Sequence, residues 1–290
     1  MELPLVVGVD GSQLSLRAVD WAADEAVRQQ VPLRLVHGAR WEHYESAAAG
    51  AKEQAVPAGE RETAERIIAT AVERAELRAP DLKVSFDVLP EDPVTALVHA
   101  GRNAFALVLG SRGRGGLAGM LLGSVSLSVA ARADCPVIVI RGPAQGPDQQ
   151  HRRIAVGVDD ADTGYAALRF ALREAAARDC PLAAVRAWRC PVTEYLDHPR
   201  LHPDASDVHE ERARTLLDAA LRATTTDPQV EVDRLWVEGT ARRALLHAAT
   251  TADLLVVGAR RRPGHAGLGR TNHALLHHAP CPVAVVPQRP

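Results

Sequence analysis

A chain of 290 residues that is 47% apolar but only 3% aromatic fits two domains of ordinary size, with cores built mostly from Ala, Val and Leu. The formal net charge of −2 offers no global basic field for a nucleic acid, and no apolar run approaches the 18 or more residues that cross a bilayer. The chain opens MELPLVVGVD, without a basic n-region or an apolar h-region, so a cytoplasmic protein with no membrane and no nucleic-acid partner is expected.

The elements alternate along the chain. An apolar run, Leu5–Val9, ends in Asp10-Gly11-Ser12 and predicts a first strand. Ala18, Trp21, Ala22 and Ala26 then form one stripe of a helix. Pro32 introduces a second strand, PLRLVHGA, and a polar segment over 42–60 leads to a helix over about 60–78. A third strand, KVSFDVL, precedes a helix around 93–104, and a fourth strand, FALVLG, runs into a glycine-rich loop. A helix from about 123 and the strand PVIVI close the unit.

The whole pattern then recurs. LVVGVDGS at 5–12 is echoed by IAVGVDDA at 154–161, LVLGSRGRGG at 107–116 by LVVGARRRPG at 255–264, and DCPVIVI at 134–140 by PCPVAVV at 280–286. Asp10 and Asp159 are 149 positions apart, Gly110 and Gly258 148, and Cys135 and Cys281 146. Three motifs at nearly one offset mean duplication. The stretch 141–153 has Pro, Gly and Gln but no apolar pattern and is read as the linker, giving domains at 1–142 and 151–290. Strands separated by helices imply right-handed crossovers and a parallel sheet with helices on both faces, so the fold class is α/β with two tandem Rossmann-like domains. Ligands of such sheets sit beyond the C-terminal strand ends, where strand order reverses. Strands 1 and 4 of each copy both end in polar, glycine-bearing loops.

In the first copy the loop after strand 4 reads G-x2-G-x9-G-S, from Gly110 and Gly113 to Gly123 and Ser124. Gly110 and Gly113 are expected to take positive φ and to let the backbone approach a ligand, with Gly115 and Gly116 prolonging the permissive stretch. Gly123-Ser124 opens the next helix, where free amides favour an anion. Ser111 and Ser124 offer hydroxyls there, and Arg112 and Arg114 offer charge that a solvated loop would also explain. The pattern is neither a Walker loop nor a dinucleotide fingerprint, because no G-K-[ST] follows and no G-x-G-x-x-G succeeds strand 1. Asp10, at the end of strand 1, suits ribose hydroxyls or an adenine edge. Its local alternative is formation of the Asp-Gly-Ser turn and helix cap.

The VGVDGS opening, the G-x2-G-x9-G-S loop and the closing CPV-x-V strand resemble the universal stress protein family in its tandem form, over almost the whole chain. The resemblance implies a five-stranded parallel sheet per domain, of the adenine nucleotide alpha hydrolase-like kind, with ATP between strands 1 and 4 and Mg2+ a companion of its phosphates. Carried over, the nucleoside side would be Gly8, Asp10 and Val36, and the phosphate and ribose side Gly110, Arg112, Gly113, Gly123, Ser124 and Val125. VIVI at 137–140 and VAVV at 283–286 match the family's pairing strands, which implies docking of the two copies and leaves a homodimer open. A stress-response regulator that binds ATP is the function implied; a weak ATPase or phosphotransferase, a binder of another adenine nucleotide such as cAMP, or a dimerisation scaffold are the alternatives.

The second copy departs from the pattern. Arg261 replaces Gly113, and Thr271-Asn272 is read in the place of Gly123-Ser124, leaving Gly157, Asp159 and Gly258 as surviving candidates. Bulk at a close-approach position opposes ligand entry, although Arg260, Arg261, Arg262 and Arg270 supply charge. The His273–His277 pair and the loop histidines His198, His202 and His209 lack a third ligand and an H-E-x-x-H pattern, so no metal site is expected. Each of the four cysteines precedes a proline and none forms a C-x-x-C pair, which points to reduced structural thiols. No G-x-S-x-G elbow or spaced carboxylate pair supplies a dedicated catalytic group.

Overall fold

The computed structural model describes residues 2–39, 58–113, 122–141, 151–159, 165–189, 204–224, 230–260 and 267–288. Two compact units divide the chain, Met1–Arg141 and Gly142–Pro290.

The first unit runs β1 (Leu5–Gly8), α1 (Gln13–Gln29), β2 (Leu33–Gly38), α2 (Ala58–Arg78), β3 (Val84–Leu89), α3 (Pro93–Gly101), β4 (Ala106–Gly110), α4 (Ser124–Arg132) and β5 (Val137–Ile140). Its strands lie in the order β3-β2-β1-β4-β5, all parallel. Two crossovers step away from β1 on one side, through β2 to β3. The chain then jumps back past β1 to β4 and on to β5, so β1 and β4 leave for opposite sides of a shared crevice. β1 registers Leu5 against Ala106 and Gly8 against Leu109, which levels the two C-terminal ends.

Burial explains the continuous apolar strands. Leu5, Leu33, Leu35, Leu107 and Ile138 are fully buried, as a parallel sheet covered on both faces requires. Helices α1 and α2 pack together on one face and α3 and α4 together on the other. Asp20 and Asp24, one turn apart on α1, receive bidentate pairs from Arg74 and Arg78, one turn apart on α2, with N–O distances of 2.6–2.8 Å. The carboxylates hold both guanidinium groups above their ordinary pKa, and the helices in fixed register.

The second unit repeats the plan with β6 (Ile154–Gly157), α5 (Ala166–Ala177), β7 (Leu182–Trp188), α6 (Asp204–Thr224), β8 (Val232–Glu238), α7 (Ala241–Ala248), β9 (Leu254–Arg260), α8 (Arg270–His278) and β10 (Val283–Gln288). The order within it is β10-β9-β6-β7-β8, again parallel. Register shows the duplication in detail. Leu5 pairs with Leu33 and Gly8 with Val36, and Ile154 with Leu182 and Gly157 with Val185. Left-handed residues recur too, at Gln30 (φ 57°) and Asp179 (φ 48°), each just after the first helix of its unit.

Each first helix also buries one glutamate. Glu25 and Glu174 are both fully buried, and Glu174 accepts a short charged hydrogen bond of 2.5 Å from Arg178. Removing the charged partner of a buried carboxylate costs several kcal/mol. Arg178→Met is therefore expected to destabilise the chain by about 3 kcal/mol, read as a lower urea midpoint by tryptophan fluorescence. A midpoint equal to that of the wild type would contradict this pairing.

Candidate functional site

The crevice between the ends of β1 and β4 opens into a cavity of about 590 Å3. Its apolar wall is Val9, Val36, Ala39, Ala64, Ile67, Pro93, Leu97 and Leu109, and its polar rim includes Asp10, His37, Thr63, Arg112, Ser124 and Ser126. Gly8, Gly113, Gly123 and Val125 complete that set among the residues expected from sequence. Arg114, Gly115 and Gly116 lie outside the described residues.

Asp10 does two things at once. Its Oδ1 accepts from the Ser12 amide at 3.0 Å across Gly11, which is left-handed at φ 78°. Ser12 then caps α1, its Oγ accepting from the Ser15 amide at 3.2 Å. The same carboxylate also lines the cavity, where a Cβ at Gly113 would run into its Oδ2. The turn that sequence offered as an alternative thus aims the carboxylate.

The glycines divide by cause. Neither Gly110 nor Gly113 takes positive φ; among the described glycines only Gly11 and Gly239 do. Gly110 ends the fully buried β4 and does not line the cavity. A Cβ there would lie 2.8 Å from the backbone carbonyl of Leu14 on α1, so the glycine is required by helix-on-strand packing. Ser111 also lies behind the wall: it is buried, and its carbonyl accepts from the Gly123 amide at 2.7 Å. Of Gly110, Ser111 and Gly113, only Gly113 lines the cavity.

Gly123 is the N-cap of α4 and makes no side-chain cap bond, and Gly123, Ser124 and Val125 at the start of that helix line the cavity. Ser126, which sequence reasoning passed over, donates its buried hydroxyl to the Gly110 carbonyl at 2.7 Å and fixes the helix to the strand end. His37 was missed as well; its Nδ1 lies 2.7 Å from the Val9 carbonyl. Glu60, Thr63, Ala64 and Ile67 reach the cavity from α2. Only long-range packing brings them there, so no local motif could have announced them.

The second unit rebuilds the same place. Gly157 ends β6 and a Cβ on it would touch Leu245, as one on Gly8 would touch Leu97 and Leu109. Asp159, at the position of Asp10, lies 3.1 Å from Arg260 and 3.5 Å from Arg186. By strand register Arg186 stands where His37 does and Trp188 where Ala39 does. Gly258 carries a carbonyl that accepts from Asn272 at 2.9 Å, the bond that Ser126 makes in the first unit. That bond corrects the sequence alignment. α8 is capped by Gly269, so Gly269-Arg270, and not Thr271-Asn272, correspond to Gly123-Ser124. The second loop is two residues shorter, as the fall in offset from 148 to 146 records. Arg261 and Arg262 lie outside the described residues.

Other chemistries find little support. Cys135, Cys180 and Cys281 are buried and free of disulfides, and burial pushes the Cys180 thiol up, which opposes formation of the reactive thiolate. Among the described residues no three His, Cys, Asp or Glu side chains gather to hold a metal ion. No described helix is long and apolar enough to cross a membrane.

Doubly wound parallel units with a crevice at the reversal of strand order define the Rossmann-like α/β class. The family model for the universal stress protein family matches residues 3–141 and 150–287. The chain is 36% identical over 296 residues to the universal stress protein Rv2005c of Mycobacterium tuberculosis, covering 98% of this chain and 97% of the relative. It is 32% identical over 296 residues to Rv2623 of the same organism, covering 98% and 96%. The crystal structure of a universal stress protein from Archaeoglobus fulgidus shares the fold across 100% of both chains, with a TM-score of 0.68 at 19% identity. The chain belongs to the universal stress protein family, with two tandem domains of it.

The packing role of Gly110 has a direct check. Gly110→Ala is expected to lower stability by about 1–3 kcal/mol through overpacking against α1, measured by urea denaturation. A variant as stable as the wild type would return Gly110 to the role of a ligand-approach residue.

Proposed function

We propose that the first unit binds an adenine nucleotide, ATP in the reading that the family resemblance supports, and that the chain acts as a nucleotide-responsive regulator. The supporting observation is one cavity that joins an apolar wall, a carboxylate and an uncapped helix start. The base would lie against Val36, Ala39 and Ile67. Asp10 would accept from ribose hydroxyls, since a carboxylate is an acceptor only. The phosphates would reach Gly113, Ser124, Val125 and the α4 amides, where the helix dipole favours negative charge. Arg112, on the rim, would neutralise part of that charge, and Mg2+ would be held chiefly by the phosphates themselves.

The second unit is read as the non-binding partner. Arg186 and Arg260 already neutralise Asp159, and Trp188 stands at the position of Ala39, on the wall assigned to the base. A ligand would have to break those ion pairs without the glycine that the first loop presents. Gly157, Asp159 and Gly258 accordingly have structural tasks.

Nucleotide released from the denatured full-length protein, after saturation with ATP, is expected at about one mole per mole of chain. Asp10→Ala should weaken ATP binding at least tenfold by calorimetry, and Asp159→Ala should leave both affinity and stoichiometry unchanged. Two moles per chain, lost to one by Asp159→Ala, would overturn the asymmetry. No binding at all by the wild type would sink the nucleotide reading.

A further inference from the structure

A second cavity, of about 490 Å3, lies between α7 and α8 of the second unit. Five of the side chains around it are cationic or can become so: Arg242 from α7, and Arg270, His273, His277 and His278 from α8. The four on α8 fall at i, i+3, i+7 and i+8, along one face of the helix. His273 and His277 stack with ring centroids 4.5 Å apart and planes 28° apart, and His278 lies 6.1 Å from His277.

The first unit serves as an internal control. Aligning the helices at their caps, Asp92 with Thr240 and Gly123 with Gly269, puts Val94 opposite Arg242. Ser124, Leu127 and Ala131 then face Arg270, His273 and His277, and only Arg132 opposite His278 carries charge. The corresponding positions hold one cationic side chain in one copy and, with the histidines protonated, five in the other. Helix packing alone therefore does not demand the charge. The elements α7, α8 and β10 contain no acidic residue. Like charges at helical spacing repel; an anion in the groove turns that repulsion into attraction.

We infer that this groove binds a condensed phosphate, a chain of at least two or three linked phosphoryl groups. Arg270 and His278 are eight residues apart, which is about 12 Å, more than two turns, along a helix axis. A linear polyanion matches a cationic row of that length better than a single phosphate does. The ligand is free condensed phosphate; the triphosphate tail of a nucleotide offers the same chemistry, and its binding in this groove would add to the one mole per chain expected of the first cavity. The inference is independent of the nucleotide assigned to the first unit.

The histidines give the site a pH dependence of fixed sign. Imidazolium attracts an anion and neutral imidazole does not, so affinity for a polyanion declines as pH rises. The groups facing the imidazoles are Arg242 and Arg270; Arg243 and His247 are the other titratable residues of α7, and β10 carries none.

The test uses the full-length chain and reads imidazoles of the second unit, so that phosphate held in the first cavity does not enter the signal. Imidazole resonances, assigned with His273→Gln and His277→Gln, are followed by NMR while sodium tripolyphosphate is added at pH 6 and at pH 8, with calorimetry alongside. Saturable shifts of the His273 and His277 signals are expected, with affinity at least tenfold higher at pH 6. Arg242→Gln/Arg270→Gln should cost at least tenfold in affinity with an unchanged melting temperature. ATP in place of tripolyphosphate distinguishes the sources: equal shifts identify a nucleotide tail, and weaker ones free condensed phosphate. Unmoved imidazole signals, full affinity in the double arginine variant, or equal binding of poly-glutamate at matched charge would each overturn the inference.

Discussion

The parallel pairing of β1 with β4 sets everything functional in the first unit. It places two chain segments about a hundred residues apart side by side with their C-terminal ends level. Because the crossovers leave that pair in opposite directions, the backbone cannot fill the space beyond the strand ends. Asp10 and the α4 start then face each other across a cavity that neither segment could form alone. The continuous burial of both strands makes the pairing stiff, since a slip would expose Val and Leu side chains on a sheet covered on both faces.

Around that crevice the chain uses small residues for several different reasons. Gly11 supplies a left-handed turn, Gly8 and Gly110 admit neighbouring side chains or a helix backbone, and Gly113 leaves room for the Asp10 carboxylate. Ser126 anchors α4 to the strand end, which holds the start of that helix at the crevice. A glycine-rich motif read as one cradle is in fact a set of separate solutions to close packing.

The duplication makes the divergence between units informative. Both keep the strand order, the buried glutamate of the first helix and the bond that ties the last helix to the strand end. What changes is the charge at the crevice: His37 gives way to Arg186 and Ser124 to Arg270, and Asp159 becomes the anion between two arginines. The conserved frame is set by packing, while the variable rim is free to take on another electrostatic character.

By itself the sequence determined the duplication, the strand–helix alternation and the strand-end positions of Asp10 and the G-x2-G-x9-G-S loop. These are legible because periodicity, turn residues and repeats are local properties of a chain. Only the tertiary structure decided that Gly110 serves α1, that Ser111 lies behind the wall and that His37, Ser126 and the α2 side chains join the rim. It also decided that Gly269 and Asn272, not Thr271-Asn272, set the register of α8, although the shrinking offset between the copies carried that shift in plain sight. The reason is physical: which side chains share a cavity depends on strand order, crossover direction and helix register, and these bring together residues that no sequence window contains.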